Sequence, residues 1–261
     1  MWVAGEAYEP YVGRWSRLVA HRFVRWMDAA PGGSWRDIGC GTGAVTQAVL
    51  DAAEPVTVVG VDPSAGYVAY ARRNIADQRA RFVLADAVNL PFADSTASVA
   101  VSGLVLNFVP DAPRAVAEMA RVIAPGGQVG VYVWDFGEGG MEAIRAFWDA
   151  ASALDANALA LDEAVRFPLC AEEPLRELLV GAGLEDVEVE GISVATRFSG
   201  FDDYWQPFLG GQGPAPTYVA SLAEEHRAEL RERLRSALPR EADGAIPLRA
   251  RAWAARGRRR A

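Results

Sequence analysis

Three aspartates, Asp37, Asp62 and Asp86, each end a short apolar run, and Gly39, Gly41 and Gly43 follow directly on the first of them. Residues of these types at this spacing suit nucleotide binding. Glycines spaced G-x-G-x-G between a strand and a helix let the backbone come close to a ligand. With Ala44 the run also fits the looser G-x-G-x-x-G/A dinucleotide pattern. Ligands of open α/β sheets bind outside the carboxyl ends of the strands, so three acids at three strand ends gather around one crevice. Asp62 lies 23 residues after Gly39, the offset of an acid that takes ribose hydroxyls.

Asp37 discriminates between nucleotides. A pyrophosphate seeks bare backbone N–H groups without a neighbouring negative charge. Like charges about 4 Å apart repel by roughly 4 kcal/mol at a surface-like dielectric. S-adenosylmethionine has no phosphate and carries a sulfonium and an ammonium beside one carboxylate. An acid just before the glycines attracts its amino-acid end, and Asp86 can accept from the adenine amino group. The order acid–glycines–acid–acid therefore favours a cationic nucleoside over NAD. Each residue also has a plainer use: Asp37 as a cap of the next helix, Asp62 and Asp86 as turn formers, Cys40 as a small residue beneath the cofactor.

The elements that must position these residues alternate. Helical periodicity over 14–29 (Trp15, Leu18, Val19, Phe23, Trp26, Met27) predicts an amphipathic helix ended by "PGGS". Strands are expected at about 34–38, 55–62, 81–86, 97–103 and 128–135, with a helix at about 43–53, one capped by Ser64, and one starting near Asp111 and stopped by "PGG" at 125–127. Such alternation argues for a parallel sheet with helices on both faces. Beyond residue 135 we expect helix over 138–165 and 173–184 and an edge strand over "EDVEVEGISVATRF". Residues 200–216 read as a folded aromatic loop, 217–238 as one helix with a Glu229–Arg233 pair, and 246–256 as a strand. The run "RGRRR" at 256–260 reads as a solvated tail.

With these motifs in order, the chain resembles the class I S-adenosylmethionine-dependent methyltransferases, in particular small-molecule enzymes such as those of quinone biosynthesis. The resemblance rests on "DIGCGTG" (37–43), "VVGVDPS" (58–64), "FVLADAVNLPFAD" (82–94), "VSGLVLNFVPD" (101–111) and "EMARVIAPGG" (118–127), which together cover about residues 34–135. The N-terminal "YVGRWSRLVA" and the late "LRARAWAARG" are less specific. The resemblance implies an α/β, Rossmann-like, seven-stranded, mostly parallel sheet whose last strand is antiparallel. It also implies roles. Gly39, Cys40 and Gly41 follow the methionine moiety, with Asp37 before them. Asp62 takes the ribose hydroxyls, with Pro63 and Ser64 beside the adenosine. Asp86 and Ala87 meet the adenine; Ser102, Gly103 and Leu104 border the sulfonium; Tyr11 and Arg14 close over the carboxylate. Asn107 stands where several relatives carry histidine, so a histidine base is absent at that point.

The expected unit is a single domain, 1–261. Its core spans about 31–135 plus the strands near 186–198 and 246–256; a helical cap is drawn from 1–30, 136–180 and 200–243. Aromatics crowd the cap, and Trp15, Asn107, Phe108, Trp134 and Phe136 are the candidate acceptor pocket. Asp135 and His21 are the candidate bases.

Composition narrows the class. A formal net charge of −8 disfavours nucleic acid. All the basic residues are arginine, and the N-terminus reads as neither a signal peptide nor a membrane span. Two cysteines without C-x-x-C spacing and two histidines give no metal site, and reduced thiols point to the cytoplasm. The expectation is methyl transfer to an O, N or C atom of a small, apolar or aromatic molecule, by a monomer or homodimer. Two alternatives remain: a nicotinamide-dependent oxidoreductase, and an S-adenosylmethionine-binding protein without catalysis.

Overall fold

The computed structural model describes residues 14–210 and 213–261, together with the backbone but not the side chain of Arg14. Its seven strands are β1 (Ser34–Ile38), β2 (Thr57–Asp62), β3 (Ala80–Leu84), β4 (Ala97–Gly103), β5 (Ile123–Trp134), β6 (Leu184–Phe198) and β7 (Ile246–Arg259), in the order β3-β2-β1-β4-β5-β7-β6. β7 runs opposite to the other six strands, pairing antiparallel with both β5 and β6. The order reverses between β1 and β4. The crossovers from β1 to β2 and from β4 to β5 therefore lead away from each other, and right-handed connections place their helices on opposite faces. That reversal opens a crevice at the carboxyl ends of β1 and β4.

The helices of the core are α1 (Arg14–Met27), α2 (Ala44–Ala52), α3 (Ala65–Asn74) and α4 (Ala112–Val122). Ser64 and Asp111 cap α3 and α4, accepting from the amides of Tyr67 and Arg114. The apolar sequence of β2 and β5 reflects burial on both faces: Val58, Val61, Val129, Val131 and Val133 have no exposed surface.

"PGG" at 125–127 does not stop α4, which ends at Val122; β5 already starts at Ile123 and passes through the glycines. The register slips between the Ala97–Ile123 and Val99–Gln128 pairs, which makes the segment a bulge. A Cβ on Gly127 would stand 2.6 Å from the Ser98 carbonyl oxygen. The arginine run is likewise no solvated tail. It continues β7: Arg256 pairs with Glu188, Arg259 donates to the carbonyls of Arg121 and Ile123, and Arg260 pairs with Glu185.

After β5 the chain forms α5 (Glu142–Leu154), a 3-10 turn (Ala156–Leu161), α6 (Glu163–Arg166) and α7 (Glu172–Gly181), so the helix expected over 138–165 is interrupted. Within 200–216 the chain forms α8 (Phe201–Trp205), a 3-10 turn (Gln206–Gly210) and the start of α9 (Pro214–Ser221). Their Gly and Pro content masked a helical spacing of Phe201, Tyr204, Trp205 and Phe208, all buried. Phe208 stacks on Phe147 of α5 at 4.7 Å, and the Tyr204 hydroxyl donates to the Ala143 carbonyl. The single helix expected over 217–238 is two, since Leu222 turns extended before α10 (Glu224–Ala237). Among the described residues Glu229 and Arg233 form no ion pair; Arg231 of α10 reaches back to Asp202 instead.

Candidate functional site

The turn after β1 is held by its own amides. The N–H groups of Gly39 and Cys40 both donate to the Val61 carbonyl, Gly43 donates to the Cys40 carbonyl, and Gly41 donates to Asp62 Oδ2 at 3.0 Å. The three glycines have left-handed φ values of +74°, +51° and +92°. Their surroundings differ. A Cβ on Gly39 would lie 2.5 Å from Val105, and one on Gly43 would lie 2.4 Å from Ile75. Among the described residues a Cβ on Gly41 would meet nothing within 4 Å. Two of the glycines thus serve helix and loop packing, and Gly41 faces open space.

The three acids occupy different environments. Asp62, 7 % exposed, accepts from Gly41 through Oδ2 and from the Ser64 amide through Oδ1. Burial raises its carboxyl and these two amides oppose the rise. Each oxygen keeps a lone pair for a hydroxyl. Asp86 is exposed beyond the end of β3 and accepts from the Val88 amide, while Ala87 is buried beside it. Asp37 departs from expectation: it is not on the rim. It has no exposed surface, and Oδ2 accepts from the Thr46 hydroxyl of α2 at 2.6 Å. Burial pushes its carboxyl up to about 7. The carboxyl expected on the crevice wall lies beneath the turn.

The wall opposite is the end of β4. Ser102 is fully buried and its hydroxyl has no partner among the described residues. Gly103 lets the Tyr132 ring approach, since a Cβ there would be 2.5 Å from the phenol oxygen. Leu104 has φ +62°, a conformation rare for a branched residue, and its amide donates to the Tyr132 carbonyl. This kink sets Val105 against Gly39 and carries the following 3-10 turn (Leu106–Phe108) out over the sheet. Phe108 is 53 % exposed there. It meets Phe167 edge-on at 5.3 Å, and Phe167 lies 6.0 Å from Phe136 beyond β5. Phe108, Phe167 and Phe136 form an aromatic lip above the ends of β4 and β5. Asn107 is half-buried within it. Trp134 is buried, and so is Trp15, whose ring packs on Phe198 at 5.2 Å and lines a narrow apolar cavity with Ile144, Tyr204 and Phe208.

The geometry gives both candidate bases other work. Asp135 is 3 % exposed; Oδ2 accepts from Arg251 Nε at 2.6 Å and Oδ1 from the Gly137 amide. It anchors the loop into α5. His21 lies 3.6 Å from Asp51, near the far end of α2. At about 1.5 Å per residue, that is on the order of 10 Å from the glycine turn. Tyr11 and the Arg14 side chain lie outside the described residues.

Several contributors carried no signal as isolated residues. Thr46 is one. Glu118 and Arg121 of α4 form another: Glu118 accepts from the Leu90 amide and from Arg121, and Arg121 also donates to the Phe92 and Leu90 carbonyls. Arg121 holds the Glu118 carboxyl below its usual range. The pair clamps the loop that carries Asp86 and Ala87, which is a physical use for the "EMAR" motif. Phe167 is a third, reached only through the cap. Among the described residues no group of His, Cys, Asp and Glu is arranged to hold a metal ion, and no helix is long and apolar enough to cross a membrane.

Comparison with known proteins is consistent with this geometry. Residues 36–131 match the family model described as a methyltransferase domain. The demethylmenaquinone methyltransferase of Desulfitobacterium hafniense is 35% identical over 111 residues, which is 41% of this chain and 44% of that protein. The malonyl-[acyl-carrier protein] O-methyltransferase of Pectobacterium atrosepticum is 35% identical over 113 residues, 43% of each chain. The matched region thus spans less than half the length of these relatives. In overall shape the chain is similar to phosphoethanolamine N-methyltransferase 2 of Haemonchus contortus, solved with S-adenosyl-L-methionine (TM-score 0.56, 19% identity, covering 97% of this chain and 56% of that one). It is also similar to the [4+2]-cyclase SpnF (TM-score 0.55, 21% identity, covering 95% of this chain and 81% of that one). The glycine turn, the acid at the end of β2 and the sheet order with its antiparallel β7 converge with the matched segment on one assignment: the chain carries a class I S-adenosylmethionine-dependent methyltransferase domain.

Proposed function

We propose that the chain transfers a methyl group from S-adenosylmethionine to an O, N or C atom of a small, apolar or aromatic molecule. The observation that carries this reading is the open face of Gly41 beside Asp62, whose two oxygens hold the turn and retain lone pairs for ribose hydroxyls. Gly39, Cys40 and Gly41 back the methionine moiety, Pro63 and Ser64 flank the adenosine, and Asp86 and Ala87 meet the adenine. Ser102, Gly103 and Leu104 border the sulfonium. The bound cofactor supplies an activated methyl group, so the protein's part is alignment and exclusion of water. The aromatic lip of Phe108, Phe136 and Phe167 does both for a flat or lipophilic acceptor, whose nucleophilic atom must point down toward the end of β4.

One structural neighbour is a cyclase, so the fold alone does not select methyl transfer. Titration calorimetry with S-adenosylhomocysteine and with NAD, followed by transfer of labelled methyl from S-adenosylmethionine to a panel of phenols, hydroquinones and amines, tests the reading. Affinity for the first ligand and label in product support it. Affinity for NAD alone supports an oxidoreductase, and cofactor affinity without label in any acceptor supports a binding protein.

Gly41→Val gives a sharper check. Its side chain enters open space, so only the strain of a left-handed valine burdens the fold, roughly 1–2 kcal/mol. The same side chain occupies the cradle. We expect a folded protein by circular dichroism whose affinity for S-adenosylhomocysteine falls at least tenfold.

A further inference from the structure

We infer that cofactor binding expels a proton from Asp37 to solvent, so that this buried carboxyl positions the cofactor's cationic end as an anion only while the site is filled. The inference rests on the cofactor reading above.

The geometry leaves one half of Asp37 without a partner. Oδ2 is taken by the Thr46 hydroxyl, while Oδ1, buried, has none among the described residues. Four backbone donors of the turn are committed elsewhere: Gly39 and Cys40 to Val61, Gly41 to Asp62, and Gly43 to Cys40. These four amides are not available to stabilise an anion at Oδ1. The groups facing Asp37 from the packed elements divide between favouring and opposing the anion. From α2 come the Thr46 hydroxyl and amide, which favour the anion. From the end of β2 comes Asp62, which opposes it. From the turn comes the Cys40 thiol, pushed up by burial and by both aspartates and hence uncharged. The strand partners of Asp37 in β2 and β4 are Gly60 and Val101, which carry no charge. Among the described residues no cation answers Asp37, and burial lifts its carboxyl to about 7. The unfilled site thus holds mostly the neutral acid below pH 7. A ligand ammonium seated on the turn, two residues along the chain, is the missing counter-charge. The Asp37 O–H bond breaks, its electron pair stays on the carboxylate, and the proton passes to buffer.

Calorimetric titration with S-adenosylhomocysteine at pH 6, 7 and 8, each in buffers of different ionisation enthalpy, reads the proton directly. We expect close to one proton released at pH 6, about half at pH 7 and few at pH 8, with binding about tenfold tighter at pH 8 than at pH 6. Asp37→Asn, a neutral isostere, should release none and bind with little pH dependence. Thr46→Val, which removes the hydroxyl donor, should move the wild-type profile to higher pH. Binding without proton release at any pH, or an Asp37→Asn profile equal to wild type, overturns the inference and leaves the cofactor reading standing. No binding at any pH overturns both.

Discussion

Asp62→Ala is expected to lower affinity for S-adenosylhomocysteine by about 100-fold or more, with the glycine turn loosened as well. The carboxylate anchors the amides of Gly41 and Ser64 and, in the proposed site, accepts the ribose hydroxyls. Hydrogen bonds to a charged group contribute roughly 1.5–3 kcal/mol each, so losing two ligand bonds alone amounts to about 3 kcal/mol. The anchoring bonds separate this variant from a simple contact loss. Asp62→Asn keeps one acceptor oxygen and the side-chain shape. It should keep one of the two anchoring bonds and lose part of the affinity, whereas the alanine variant loses both and should lower the melting temperature further. Calorimetry and thermal denaturation on the two variants distinguish these effects. Unchanged affinity in Asp62→Ala would place the crevice elsewhere.

Stability of the ligand-free protein should fall as pH rises from about 4 to about 7 and level off above. Two buried carboxyls drive this. Asp37 lies under the turn, and Glu163, 4 % exposed in α6, accepts from the indole N–H of Trp148. Burial pushes each up to about 7. The folded state therefore holds these protons more tightly than the unfolded chain, and between the two pKa values the folded form carries more bound protons. Stability then declines with pH by linkage. A shift of this size corresponds to on the order of 3 kcal/mol per group at neutral pH. The complement follows: Glu163→Gln and Asp37→Asn should each flatten the dependence and be more stable than wild type at pH 8. Urea denaturation at pH 5 and pH 8 measures both slopes. An increase of wild-type stability toward pH 8 would refute the assignment.

The architecture of the first half was legible in the residues themselves. Strand and helix boundaries from β1 to β4 agree with the apolar runs to within a few residues, because a parallel sheet covered on both faces must write its burial into continuous sequence. Ser64 and Asp111 were readable as caps for a similar local reason. Beyond residue 135 local signals misled. Gly and Pro around residues 200–216 concealed helices whose aromatic spacing has meaning only against Phe147 and Ala143, and the terminal arginines looked solvated until β7 brought them to Glu188, Glu185 and the Arg121 carbonyl.

By itself, the sequence determined that acids and glycines would meet at strand ends, since that depends on residue type, chain order and the handedness of crossovers. It determined nothing about which way each side chain would face. Only the packed tertiary structure decided that Asp37 lies dry beneath α2, that Asp135 is spent on Arg251, that His21 stands at the wrong end of α2, and that Gly41, not Gly39 or Gly43, opens to the crevice. The physical reason is that desolvation, ion pairing and steric room are set by neighbours distant in the chain, and no local spacing records them.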